Sequence, residues 1–149
     1  MTDARAAIAG LVYGYAELID AGDLEGVARL FATGTFGSAR GPVRRGTDEL
    51  LAVLRRLVIL YGDGTPCTKH VVTNLVIDVD EIARTATARS YFTVLQAAET
   101  LPLQVIVAGR YEDRFACVDG AWRFSDRLVH MDLVGDVSRH LRQDGGRRR

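Results

Sequence analysis

The chain of 149 residues lacks several things that would announce a function. It has no net charge, with nineteen basic and nineteen acidic residues cancelling, so no global field favours nucleic acid or an anionic membrane. No stretch approaches the roughly eighteen uninterrupted apolar residues of a membrane span. The N-terminus, MTDARAAIAG, has no basic segment before a long apolar run and does not read as a signal peptide. Its two cysteines, Cys67 and Cys117, lie far apart and outside any CxxC pattern, which fits reduced thiols in a cytoplasmic protein rather than a disulfide. Histidines and cysteines show no metal-ligand spacing, so no metal is expected. GxGxxG is absent, and Gly34-x-x-Gly37 precedes no helix, so no dinucleotide or other cofactor is expected.

What is present is the composition of a soluble globular domain, 48% apolar and 26% charged. One domain of ordinary size, residues 1–142, is expected, large enough to fold without disulfide or metal. The basic tail 143–149, QDGGRRR, is expected to be disordered.

The first third has helical period. Ile8, Leu11, Val12, Tyr15 and Ile19 make one apolar face of a helix over Ile8–Asp20. Gly22 breaks it, and Asp23 caps a short helix over Leu24–Ala32. The Gly- and Arg-rich stretch 33–46 reads as a short strand and turns, with Pro42 ending any regular pairing. Thr47 is the expected N-cap of a third helix, whose buried side carries Leu50, Leu54, Leu57, Val58 and Tyr61.

After Pro66 the period changes. Cys67–Val79, Ile82–Gln96, Leu103–Val118 and Ala121–Val134 are strand-like, rich in Val, Ile, Thr and aromatics. Short connections, above all Asp119-Gly120, predict an antiparallel meander. Strands this long must bend, and Gly109 is the candidate bulge. Helices should then cover the concave face of the sheet. Apolar residues on both faces of the strands (Ile77, Val79, Ile106, Val129, Met131, Leu133) suggest that the outer face is covered too.

Two polar residues beside apolar sequence stand out. Asp20 ends the first helix and His70 begins the first long strand. Helical periodicity puts Asp20 off the apolar face. Strand alternation puts His70, Val72, Asn74 and Val76 on one face, and Tyr91 and Phe92 on opposite faces. Tyr15 lies on the apolar helix face, where a core tyrosine and a cavity tyrosine are equally well placed.

The order of short motifs resembles the SnoaL-like branch of the nuclear transport factor 2-like superfamily. The matching pieces are Tyr15-x4-Asp20 with Asp23, Leu30-Phe31-Ala32, His70-x3-Asn74, Gly109 to Phe115, Asp119 to Arg127 and Gly135 to Leu141. The resemblance implies an α+β fold: a cone-shaped α+β barrel, in which a strongly bent antiparallel sheet carries three N-terminal helices on its concave face. Within that branch, scytalone dehydratase, bile-acid dehydratase and hexachlorocyclohexane dehydrochlorinase use an Asp–His pair, which Asp20 and His70 match. Similarity to the bile-acid enzyme adds Tyr15, and similarity to the dehydrochlorinase adds Arg127 as a cation on the last strand. Asn74, Phe92, Leu54 and Met131 are the expected substrate contacts. One feature departs from scytalone dehydratase: no second histidine stands on a middle strand, His130 and His140 lying near the end of the chain, which argues against a two-histidine mechanism.

The implied function is a cofactor-independent acid–base enzyme, a dehydratase-type lyase or an isomerase. It would act on a small hydrophobic, cyclic substrate. The same fold leaves two alternatives, a polyketide-cyclase-type enzyme and a non-catalytic small-molecule binder. A homo-oligomer, dimer or trimer, is the expected assembly, with neither nucleic acid nor membrane as a partner.

Overall fold

A computed structural model describes residues 3–143. Apart from Gln143, the tail expected to be disordered lies outside the described residues.

The first helix, α1 (Ala4–Asp20), begins a turn earlier than periodicity suggests, because the Asp3 carboxylate accepts the Arg5 and Ala6 amides. It buries Ile8, Val12, Tyr15, Ala16 and Ile19. Its end is a glycine stop. The Asp23 amide donates to the Leu18 carbonyl and the Gly22 amide to Ile19, with Gly22 at φ +75°. This leaves Asp20 as the last helical residue. The short α2 (Leu24–Arg29) is capped by Asp23, whose carboxylate accepts the Gly26 amide at 2.8 Å.

The stretch 33–46 forms β1 (Thr35–Ser38) and β2 (Val43–Arg45), an antiparallel pair with Pro42 in its turn. In α3 (Gly46–Leu57) Thr47 is not the cap. Arg45 holds that position, and Glu49 reaches back to accept its amide at 2.8 Å. Leu50 and Leu54 are buried, while Val58 and Tyr61 fall beyond the helix end.

Four long strands follow: β3 (Thr68–Asp80), β4 (Thr85–Ala98), β5 (Leu101–Val118) and β6 (Ala121–Val134). They pair as the expected antiparallel meander. The Asp119-Gly120 turn has both residues at positive φ, the geometry that a two-residue hairpin demands. The sheet order is β2-β1-β6-β5-β4-β3, and β1 runs parallel to β6. The sheet is therefore mixed, a correction to the purely antiparallel expectation. The hairpin of β1 and β2 follows α2 and docks on the free edge of β6.

The bent sheet buries one face against α1, α2 and α3, and the core fills the space between them. Ile77, Val79, Ile106 and Val129 turn towards this core, whereas Leu133 is 71% exposed. Most of the residues read as an outer apolar face thus belong to the inner one.

Two bulges decide what faces inward. The register of β5 and β6 slips at Gly109, where a β-carbon would overlap the His130 carbonyl oxygen and crowd the Phe92 ring. The register of β3 and β4 slips between Thr73 and Val76, with Asn74 at φ +54°. Thr68, His70 and Val72 face inward before this bulge, and Leu75, Ile77 and Val79 after it.

Gly109→Ala is expected to destabilise the protein by about 1–3 kcal/mol, since neither the backbone oxygen nor the packed ring can yield freely. A lower urea midpoint with an unchanged slope would show it. An unchanged midpoint would contradict the packing described.

Candidate active site

Asp20 sits at the C-terminal end of α1, where the helix dipole disfavours a negative charge. Three donors from β3 compensate. One carboxylate oxygen accepts the Thr68 hydroxyl at 2.8 Å and lies 2.6 Å from His70 Nδ1. The other accepts the His70 backbone amide at 2.8 Å. The helix end thus turns the carboxylate onto the start of β3, which face periodicity could not show. Burial opposes ionisation of Asp20. The hydrogen bonds from the His70 ring and backbone, with the His70 charge and the Thr68 hydroxyl, outweigh it and hold the pKa below the ordinary value.

A carboxylate can only accept, so the 2.6 Å contact places the proton of neutral His70 on Nδ1. Nε2 keeps its lone pair. His70 lines a mostly apolar cavity of about 230 Å³ between the helices and the sheet. Tyr15, Leu54, Phe92 and Met131 line it as well, joined by Phe36, Tyr111, Val129 and His140. Asp20 borders a separate, more open groove with Glu17 and Lys69, which His70 also lines.

Two expected site residues lie elsewhere. Asn74 is the bulge residue and is exposed on a different depression, beside Tyr91 and Arg110. The bulge turns it to the face opposite His70, because one extra residue inverts strand alternation. Arg127 is fully buried and is not among the residues lining the cavity. Asp113 holds its guanidinium through two hydrogen bonds of 2.8 and 2.9 Å. The Tyr15 and Tyr111 rings cover it, their centroids 4.4 and 3.7 Å from the guanidinium carbon. A buried cation needs such a partner, and the partner draws it away from the cavity. The two tyrosines are therefore a floor laid over an ion pair. Burial pushes the Tyr15 hydroxyl up in pKa against the pull of Arg127. It pushes Tyr111 well up, with Tyr15 adding to the effect. Both phenols stay neutral and can donate.

His140, set aside in the sequence because it lies near the chain end and on no middle strand, lines the same cavity as His70. Its ring lies 5.8 Å from that of His70, at 67° to it. It stands in the turn Val137–Leu141, which is stitched down on three sides. Tyr61 Oη and Gln96 Nε2 both donate to the Arg139 carbonyl, at 2.5 and 3.0 Å, and Ile59 donates its amide to the His140 carbonyl. Asp136 starts the turn by accepting the Ser138 amide and hydroxyl. The Asp-x-Ser turn signal before a histidine between apolar Val137 and Leu141 was the available clue. Burial, and then the charge of His70, lowers the His140 pKa to about 4, with Asp20 opposing.

Among the described residues, no group of three or more His, Cys, Asp or Glu is placed to hold a metal ion. None of their helices is long and apolar enough to cross a membrane. Cys67 and Cys117 are unpaired and half-buried.

Comparison with known proteins agrees with this architecture. A family model described as the SnoaL-like domain matches residues 1–128, and the chain belongs to that family. A search among curated proteins finds no match. Among solved structures, an Asp-to-Asn variant of Rv3472 from Mycobacterium tuberculosis, of unknown function, is 28% identical. The match covers 89% of this chain and 74% of that one, with a TM-score of 0.71. A candidate scytalone dehydratase from Novosphingobium aromaticivorans is 25% identical over 89% and 86% of the two chains, with a TM-score of 0.70. ActVI-ORFA from Streptomyces coelicolor is 20% identical over 88% and 98%, with a TM-score of 0.70, and shares the fold.

The buried imidazole has a measurable consequence. Its folded pKa of about 4 lies below the unfolded value of 6.5, so between these values the unfolded chain binds the proton that the folded one refuses. Stability should therefore fall as pH drops from 6.5 towards 4, and His140→Gln should flatten that slope. Chemical denaturation at a series of pH values checks it. Equal slopes for the two proteins would contradict the burial of a neutral His140.

Proposed function

We propose that this SnoaL-like protein is a cofactor-independent acid–base enzyme, a lyase or isomerase acting on a small, hydrophobic, cyclic carbonyl compound. The single observation that carries the reading is the 2.6 Å contact between Asp20 and Nδ1 of a histidine that lines the apolar cavity.

The chemistry follows from the tautomer. His70 Nε2 takes a proton from the carbon next to the substrate carbonyl. The C–H electron pair moves into a carbon–carbon double bond, and the carbonyl oxygen becomes an enolate. Asp20, below its ordinary pKa, stabilises the imidazolium that forms and keeps the ring in place. With a hydroxyl on the next carbon, the enolate electrons return and expel it. The imidazolium gives its proton to that oxygen, so an enone and water leave and His70 is neutral again. Without a leaving group, the proton returns to another carbon and the product is an isomer.

Tyr15 and Tyr111 line the same cavity as neutral phenols able to donate to oxygen. Arg127 contributes from behind them, as a cation paired with Asp113, and does not touch the substrate. The apolar walls, Leu54, Phe92 and Met131 among them, set the preference for hydrophobic rings.

Exchange of the acidic α-hydrogens of β-tetralone in heavy water, followed by proton NMR, tests the reading. The wild-type protein is expected to accelerate exchange over buffer, and His70→Ala to lower the rate by about 100-fold or more. His70→Ala within tenfold of wild type, with the variant folded, would sink the base assignment. No acceleration by the wild type would count against the carbonyl substrate class.

A further inference from the structure

The base and its carboxylate leave a second imidazole in the cavity without a task. His140 is 5% exposed and lines the cavity. Its Nδ1 is buried without a hydrogen-bond partner among the described residues. Leaving such a group unpaired costs free energy that a ligand can recover. The contrast with His70 is direct. Asp20 fixes the tautomer of His70, while no protein acceptor at Nδ1 fixes that of His140. Its proton is free to sit on whichever nitrogen meets a ligand. The backbone, however, is firmly placed. The Arg139 carbonyl accepts from Tyr61 and Gln96, and Leu141 pairs with Val58. A fixed backbone carrying a ring with an unpaired nitrogen, facing a cavity, is a donor waiting for an acceptor.

We propose that His140 is a second catalytic residue: a neutral imidazole that donates a hydrogen bond to the carbonyl oxygen of a substrate whose neighbouring carbon gives its proton to His70. The assignment rests on His70 acting as the base. It narrows the substrate to a ketone whose oxygen and acidic carbon can bridge two rings with centroids 5.8 Å apart. The division of labour is electrostatic. When His70 becomes an imidazolium, a second cation beside it would repel it, and burial together with the His70 charge keeps His140 neutral. A neutral donor stabilises the enolate oxygen without competing with His70 for the Asp20 carboxylate. Gln96 is then a positioning residue, since its amide holds the Arg139 carbonyl one residue before His140.

β-Naphthol, a planar mimic of the enol of β-tetralone, is the probe. Titration calorimetry is expected to show binding to the wild type, about tenfold weaker binding to His140→Phe, and recovery in His140→Gln, whose amide can donate. His140→Ala replaces the phenylalanine variant if thermal unfolding shows that the latter has not folded. Failure of the wild type to bind, equal binding by all variants, or a glutamine variant as weak as the phenylalanine one would overturn the assignment. His70→Ala is expected to lose α-hydrogen exchange. Exchange retained in that variant would reject the base and leave the naphthol result standing, so the two failures are distinguishable.

Discussion

The structure depends on a carboxylate at the wrong end of a helix. Asp20 closes α1 where the dipole favours a cation, and it is tolerated because β3 supplies the Thr68 hydroxyl, the His70 amide and the His70 ring. The same bonds tie α1 to the start of β3 and orient the imidazole that lines the cavity. Helix placement and histidine tautomer are thus one interaction. A residue that violates a local rule and is repaid by specific long-range partners is expected at functional or strained sites, which makes this pair the candidate site.

The second constraint is the buried pair of Arg127 and Asp113. A guanidinium with no exposed surface must be paired, and the bidentate carboxylate and the covering tyrosine rings satisfy that demand. In doing so they build the cavity floor. Tyr15 and Tyr111 are packed 5.8 Å apart over the cation, and Phe92 stacks on Tyr111 at 4.5 Å. Gly109 makes room for that ring. The floor is rigid for reasons of charge burial, and its polar edges are available to a ligand as a consequence.

Much of this was legible in the chain. The helical faces, the Asp119-Gly120 hairpin and the Gly109 bulge follow from local rules that the structure obeys. The juxtaposition of Asp20 and His70 does not. Periodicity pointed Asp20 away from the core, and motif resemblance alone brought it to His70. Asn74 was misplaced because an unrecognised bulge inverts every later residue of the strand. Resemblance alone offered Arg127 as a cation on the last strand, and spacing could not reveal that Asp113, fourteen residues earlier, would claim its charge. His140 was set aside because it lies near the chain end and on no middle strand, and an aperiodic turn gives no sign that it meets His70, seventy residues earlier. The parallel pairing of β1 with β6 was missed for a similar reason: a short strand chooses its partner by where the preceding helices leave it.

The acid–base chemistry proposed for the cavity depends on the tautomer of His70. Long-range nitrogen–proton NMR of the histidine side chains reads it directly, with Asp20→Asn as the control. A protonated Nδ1 and an unprotonated Nε2 are expected for neutral His70, lost or reversed in the variant. A wild-type His70 protonated at Nε2, or unaffected by Asp20→Asn, would contradict it.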